Sequence, residues 1–246
     1  MNRRKFLLLS VLTPVLAKEF TTINNDTYLN KEDMITLITL NDRLKRVKRF
    51  VGYGNFNILS LNHAFYYGRN YSAVGAFTKD EQNLIEKLFY SDPKEFGFYG
   101  NQTTTKINQR ISKKDIIKIP HSGHYVYKGK PLDDYKRIIK DVGSDLILTS
   151  GIRNVVKQLS LYTNKLVSFH GNLSLVSSII APPAYSYHTI SDFDIGKKSW
   201  GKKNFTSAFA TTSEFKQMKQ LEYISLRYTV NNKAGVRYEP WHVKVI

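Results

Sequence analysis

Two histidines in the last third of the chain, His188 and His242, stand close in sequence to carboxylates that could share a metal with them. Asp194 follows His188 by six residues and Glu239 precedes His242 by three. A catalytic zinc takes three protein ligands at ~2.0–2.2 Å and keeps a fourth position open. His188, Asp194 and His242 would supply two imidazoles and one carboxylate. That set leaves the site net positive, able to polarise a carbonyl and to lower the pKa of a coordinated water towards ~7. The 246 residues include no cysteine. Thiolate zinc sites, disulfide frameworks and cysteine nucleophiles are therefore excluded, and any metal must be held by His, Asp or Glu. Glu239 is the candidate general acid/base, because Pro240 breaks regular pairing and allows a turn that brings Glu239 and His242 to one place. Arg153 could grip a free carboxylate through two parallel charge-assisted hydrogen bonds.

These residues need elements to position them. On a straight strand His188 and Asp194 would lie ~20 Å apart at ~3.3 Å per residue, so the chain must bend between them. Thr189-Ile190-Ser191 is the expected bend, inside a strand-like stretch from Tyr187 to Ile195, with Asp194 at the start of the strand that follows. Asp192 lies on the same strand face as Asp194 and is an alternative ligand. Asp145 to Thr149 reads as a short buried strand, Arg153 to Leu166 as a helix, and Pro131 to Asp141 as a helix stopped by Gly143. Ser225 to Val230 alternates like a strand, and Asn231 to Gly235 is turn chemistry leading to Val236-Arg237-Tyr238. Earlier in the chain, Lys31 to Phe50 has helical apolar spacing. A second helix opens at Thr78, whose cap is followed three residues later by Glu81, and ends at Asp92-Pro93. The expected fold is α+β: a small antiparallel sheet carrying the site, packed with helices, over 120–246, preceded by a largely helical accessory region over 18–119.

Three segments together resemble the VanY-like D-alanyl-D-alanine carboxypeptidases, zinc peptidases of bacterial cell-wall metabolism. They are Ser150-Gly151-Ile152-Arg153 with Gln158 and Leu161-Tyr162, then Ser186-Tyr187-His188 with Asp194-Ile195, then Tyr238-Glu239-Pro240-Trp241-His242, in the family's order. The resemblance covers about residues 120–246. It implies Zn2+ on His188, Asp194 and His242, Glu239 as the catalytic acid/base, and Arg153, Ser150, Gln158 and Ser186 around the substrate's terminal carboxylate. The implied reaction is removal of the C-terminal D-alanine from peptidoglycan stem peptides. Two departures stand out. The family places its metal aspartate seven residues after the histidine rather than six, and carries Tyr and Ser where this chain has Ile152 and Asn154.

Charge and the first residues bear on where this happens. The net charge is +17, which suits an anionic partner such as nucleic acid, an acidic membrane face or a carboxylate-bearing wall polymer. Arg3, Arg4 and Lys5 precede an apolar run from Phe6 to Ala17 that is too short to span a bilayer, which needs ~20 apolar residues. Residues 1–17 read as an export signal of twin-arginine type, with no stable membrane span once it is removed. Its loss takes three basic residues and no acidic one, so the remainder stays strongly basic. The expected location is the periplasm or cell envelope, with peptidoglycan stem peptides as partner and no nucleic acid. The competing expectation is an exported wall-binding protein with a degenerate peptidase site, motivated by the shortened spacing before Asp194. His121 and His124 could form a second metal site or a pocket rim, His63 and His170 read as structural or exposed, Trp241 as packing beneath the site, and the Arg43 to Arg49 run as a solvated helix face.

Overall fold

A computed structural model describes residues 26–246; the export-signal reading of residues 1–17 lies outside them. The first helix, α1 (Lys31–Val51), starts where the Asn30 side chain accepts a hydrogen bond from the Asp33 amide, with Glu32 and Asp33 in its first turn and Lys48 and Arg49 in its last. Acid at the start and base at the end both oppose the helix dipole. After α2 (Tyr53–Asn57) and α3 (Leu61–Asn70), α4 (Lys79–Tyr90) begins with the expected capping box, Thr78 and Glu81 bonding reciprocally.

A two-stranded ribbon, β1 (Ile116–Lys118) and β2 (Tyr125–Tyr127), leads into α5 (Lys130–Val142), capped by Gly143. The main sheet starts with β3 (Leu146–Ser150). Then come α6 (Val155–Ser168), α7 (Leu173–Ile179), β4 (Phe193–Lys197), α8 (Ser213–Met218), β5 (Ser225–Leu226) and β6 (His242–Lys244). Its strand order is β3-β4-β6-β5, antiparallel throughout. The α+β expectation holds. Among the described residues no helix is long and apolar enough to cross a membrane.

Two apolar cores flank the site. One packs Leu37, Leu40, Leu44 and Val47 of α1 against Val156, Leu159, Tyr162 and Leu166 of α6, so the N-terminal helices share a core with the helix that follows Arg153. The other lies between the sheet and α5 and α8, with Phe193, Ile195, Trp241 and Val243 at its centre. Trp241 thus belongs to this core and also reaches the cavity wall.

Several expectations are corrected. Tyr187–Thr189 is a 3-10 turn rather than strand, because the Thr189, Ile190, Ser191 and Asp192 amides all bond back to Ser186 or Tyr187 carbonyls. Of the stretch 225–230 only Ser225–Leu226 pairs. The helix after Arg153 is capped by Asn154, which leaves Arg153 outside it. The Arg43–Arg49 run is only partly a solvated face: Arg43 pairs with the buried Glu81 at 2.6 Å, and Arg46 donates to the Val74 carbonyl.

Candidate metal centre

Strand register builds the site. Ser150 of β3 pairs across to Asp194 of β4, and Asp194 pairs across to His242 of β6. Three polar residues therefore stand in one row across three neighbouring strands. A bulge between Leu148 and Ser150 shifts β3 so that Ser150 meets Asp194. His188 arrives from the 3-10 turn before β4, which supplies the bend its spacing requires. His188, Asp194 and His242 each offer a donor atom within 4.8 Å of the others, and all three are buried. The six-residue spacing does not hold Asp194 away, since its Oδ1 lies 3.2 Å from His188 Nε2.

The distal ring nitrogens are already committed. His188 Nδ1 lies 2.9 Å from the Gly151 carbonyl, which leaves Nε2 facing the cluster. His242 Nε2 lies 3.1 Å from Asp192 Oδ2, which leaves Nδ1 facing it, 3.6 Å from Asp194 Oδ1. Asp192 takes two hydrogen bonds from Arg227 and one from the Val245 amide. It is thus turned away from the cluster and orients a histidine, a usual supporting role behind a metal.

Two buried atoms, His188 Nε2 and Asp194 Oδ1, have no hydrogen-bond partner although they face each other. Orphaned polar atoms in a dry interior are costly, and a divalent cation between them would satisfy both. The donor set of two imidazoles and one carboxylate fits zinc. Electrostatics agree. Burial and the Arg153 charge hold the His188 pKa down at about 4, so that ring is neutral. Burial would raise the Asp194 pKa, but His188 and Arg153 hold it well below the usual carboxylate range. Burial opposes a charge on His242, yet Asp192 and Glu239 together lift its pKa to about 9. The surroundings of His242 Nδ1 therefore attract a cation.

Glu239 comes from the turn before β6, with Oε2 3.3 Å from His242 Nδ1. It lines a cavity of about 570 Å³ together with the cluster, Arg153 and Ser186. Arg153 donates Nε to Ser150 Oγ at 2.8 Å and Nη2 to Asp194 Oδ2, leaving Nη1 unengaged. Its guanidinium is thus part of the metal site's support as well as of the cavity wall. Gln158 is fully buried and donates to the Ala181 carbonyl at 2.7 Å, shaping the wall. Ser186 is buried beside the turn that carries His188.

His124 belongs to the cavity wall, with Tyr53 Oη 3.3 Å from its Nε2, and joins no metal cluster among the described residues. His63 bonds Ser60 and His170 sits at positive φ in a turn. Sequence reasoning missed Asp192 and Arg227 as the support of His242, and Tyr53 in the wall, whereas His124 was expected at a pocket rim and lies in the cavity wall. Nothing local in sequence marks Arg227. Lys157 of α6 is also in the wall.

The class these features define is a buried two-histidine, one-aspartate candidate metal centre with a neighbouring glutamate, built on a small antiparallel sheet. Residues 130–246, just under half of the chain, match the family described as VanY: D-alanyl-D-alanine carboxypeptidase, and this segment is VanY-like. No curated protein matches the chain. Among solved structures, a vancomycin-resistance D,D-pentapeptidase VanY from a VanB-type cassette in complex with Zn(II) is similar at 17% identity and TM-score 0.40, over 53% of this chain and 77% of that one. VanYB in complex with D-alanine-D-alanine is similar at 16% identity and TM-score 0.43, over 59% and 82%. The D,D-dipeptidase VanXYg with a phosphinate analogue of D-Ala-D-Ala is similar at 17% and 0.44, over 49% and 50%. The family match, rather than these distant likenesses, carries the assignment.

Proposed function

We propose that this protein is a zinc carboxypeptidase that removes the C-terminal D-alanine from peptidoglycan stem peptides. One observation carries the reading: three buried donor atoms within 4.8 Å, two of them without a partner, inside the segment that matches the family. His188, His242 and Asp194 would hold the metal. A zinc ion there supplies Lewis acidity, which polarises a carbonyl and makes water a nucleophile near neutral pH.

The chain's own residues do the rest. Glu239 takes a proton from the attacking water and returns it to the departing amine of the terminal residue, acting from the cavity side of His242. Arg153 presents Nη1 to the substrate's terminal carboxylate, while its other nitrogens hold Ser150 and Asp194 in place. Ser186 and Gln158 shape the wall that receives that carboxylate. Gly151 and Asp192 fix the two imidazoles so that no rotation is needed when the ion binds. The net charge of +17 favours carboxylate-bearing wall peptides as substrate and raises their concentration near the cavity. The basic and apolar start of the sequence supports action outside the cytoplasm, in the periplasm or envelope.

The test is product mass. Incubation of the zinc-loaded chain with a pentapeptide muropeptide should release one alanine per stem. Unchanged substrate beside bound zinc removes the reading.

A further inference from the structure

Away from the metal cluster the cavity is lined by cations. Arg153, Lys157 and Lys165 reach it from α6 and the residue before its cap, and Lys202 and Arg237 line it as well. The acids that line it are Asp194 and Glu239, both at the metal centre. Lys157 and Lys165 are eight residues apart on α6, so they share one broad helix face, and Arg153 precedes its cap.

Lys157 differs from the partly buried arginines. Arg43 is paired with Glu81, Arg227 with Asp192 and Arg153 with Asp194. Lys157 is only 7% exposed, yet it makes no hydrogen bond and no ion pair with any described residue. Its Nζ lies 4.9 Å from the centroid of the Tyr53 ring and 5.9 Å from that of Phe56. Aromatic faces compensate part of the cost of burying an ammonium and leave its hydrogen-bonding capacity unused. Burial, then Arg153 and Lys48, push its pKa down to about 8, as befits a cation lacking a counter-ion.

We propose that Lys157 binds a carboxylate of the substrate peptide and is a specificity-determining residue of the cavity. This rests on the carboxypeptidase reading above, but Lys157 is not among the residues that carry the family resemblance. Two carboxylates could fill the place. One is the terminal carboxylate, shared with Arg153 Nη1, since both residues line the same cavity. The other is an acidic side chain of a residue before the cleaved bond, lying further along α6 towards Lys165. Either would give the buried ammonium a charge-assisted hydrogen bond in place of lost water.

The experiment uses the full zinc-loaded chain with four synthetic peptides ending in D-Ala-D-Ala, forming two pairs. One pair differs in a free or amidated C-terminus, the other in an acidic or neutral side chain at the preceding residue. Dissociation constants are measured by calorimetry for the wild type, Lys157→Met, Lys157→Gln and Lys157→Arg, with kcat and KM in parallel. Either neutral variant should weaken binding of the carboxylate-bearing member of one pair by about tenfold or more, raise KM with little change in kcat, and leave the neutral member unaffected. Lys157→Arg should retain most of the preference. The pair that loses discrimination identifies the carboxylate. Acid-to-neutral ratios unchanged in both neutral variants overturn the proposal, as does a wild type that binds none of the peptides. A wild type that binds with the expected discrimination but releases no alanine removes the carboxypeptidase reading while leaving Lys157 as a carboxylate site.

Discussion

Asp192 and Asp194 grip the two nitrogens of one imidazole from opposite sides: Asp192 Oδ2 is 3.1 Å from His242 Nε2, and Asp194 Oδ1 is 3.6 Å from His242 Nδ1. Two aspartates on one strand approach thus have different work. Asp194→Ala removes a ligand and should abolish zinc binding. Asp192→Ala keeps all three donors but frees the His242 ring, so zinc should still bind, ~10–100-fold more weakly. Metal content after dialysis against a graded chelator separates the two. Thermal melts of the zinc-free chain should show Asp192→Ala to be less stable than the wild type, because Arg227 is left as a partly buried charge without its partner.

Glu239→Gln preserves size and leaves the three donors in place. Turnover should fall by ~10²–10⁴-fold or more while stoichiometric zinc remains. Full activity in this variant would remove Glu239 as the proton carrier.

Arg153→Ala acts at two points, because the same guanidinium holds Asp194 and faces the cavity. Zinc should bind more weakly, and with zinc saturating, the preference for a peptide acid over its amide should shrink. An unchanged acid-to-amide ratio would confine Arg153 to supporting the metal site.

Gly151→Ala tests the backbone behind His188. A Cβ there would fall 2.0 Å from the Tyr125 carbonyl oxygen, so either Tyr125 or Gly151 must move. The Tyr125 oxygen accepts the Ile152 amide at 2.7 Å, and the Gly151 oxygen faces His188 Nδ1. The substitution should cost ~1–3 kcal/mol in stability and weaken zinc binding together. Thermal melts with and without zinc would show both, and a wild-type melt would contradict the packing described.

His124 gives a pH signature. Burial, then Arg153 and Lys157, hold its pKa down at about 4 against Asp194, which acts to raise it. A depressed histidine pKa means that the stability it contributes is complete above ~6.5, the unfolded value, and is lost as pH falls towards 4. The size is on the order of 3 kcal/mol. Denaturant midpoints of the zinc-free chain should fall over this window, and His124→Gln should flatten that part of the curve.

Much of the site was legible because its chemistry depends on residue type. Absence of cysteine confined the metal to His, Asp and Glu, and the His188, Asp194 and His242 segments lie in an order that the fold brings together. The capping box at Thr78 and the Gly143 stop were readable because both are local hydrogen-bonding or backbone effects. The strand-like pattern around Tyr187 misled, because alternation in a tyrosine-rich stretch does not distinguish a pleated strand from a 3-10 turn whose amides bond locally. The choice between Asp192 and Asp194 depends on Arg227 and the Val245 amide, both distant in sequence, so spacing alone could not make it. Arg43 looked solvated because its partner Glu81 lies on another helix.

The most direct measurement of the central claim is mass analysis of a pentapeptide muropeptide incubated with the chain carrying one equivalent of zinc, beside the Glu239→Gln variant carrying the same zinc. Loss of one alanine residue with the wild type and an unchanged mass with the variant is the predicted result. An unchanged mass with both, zinc being bound in each, would contradict it.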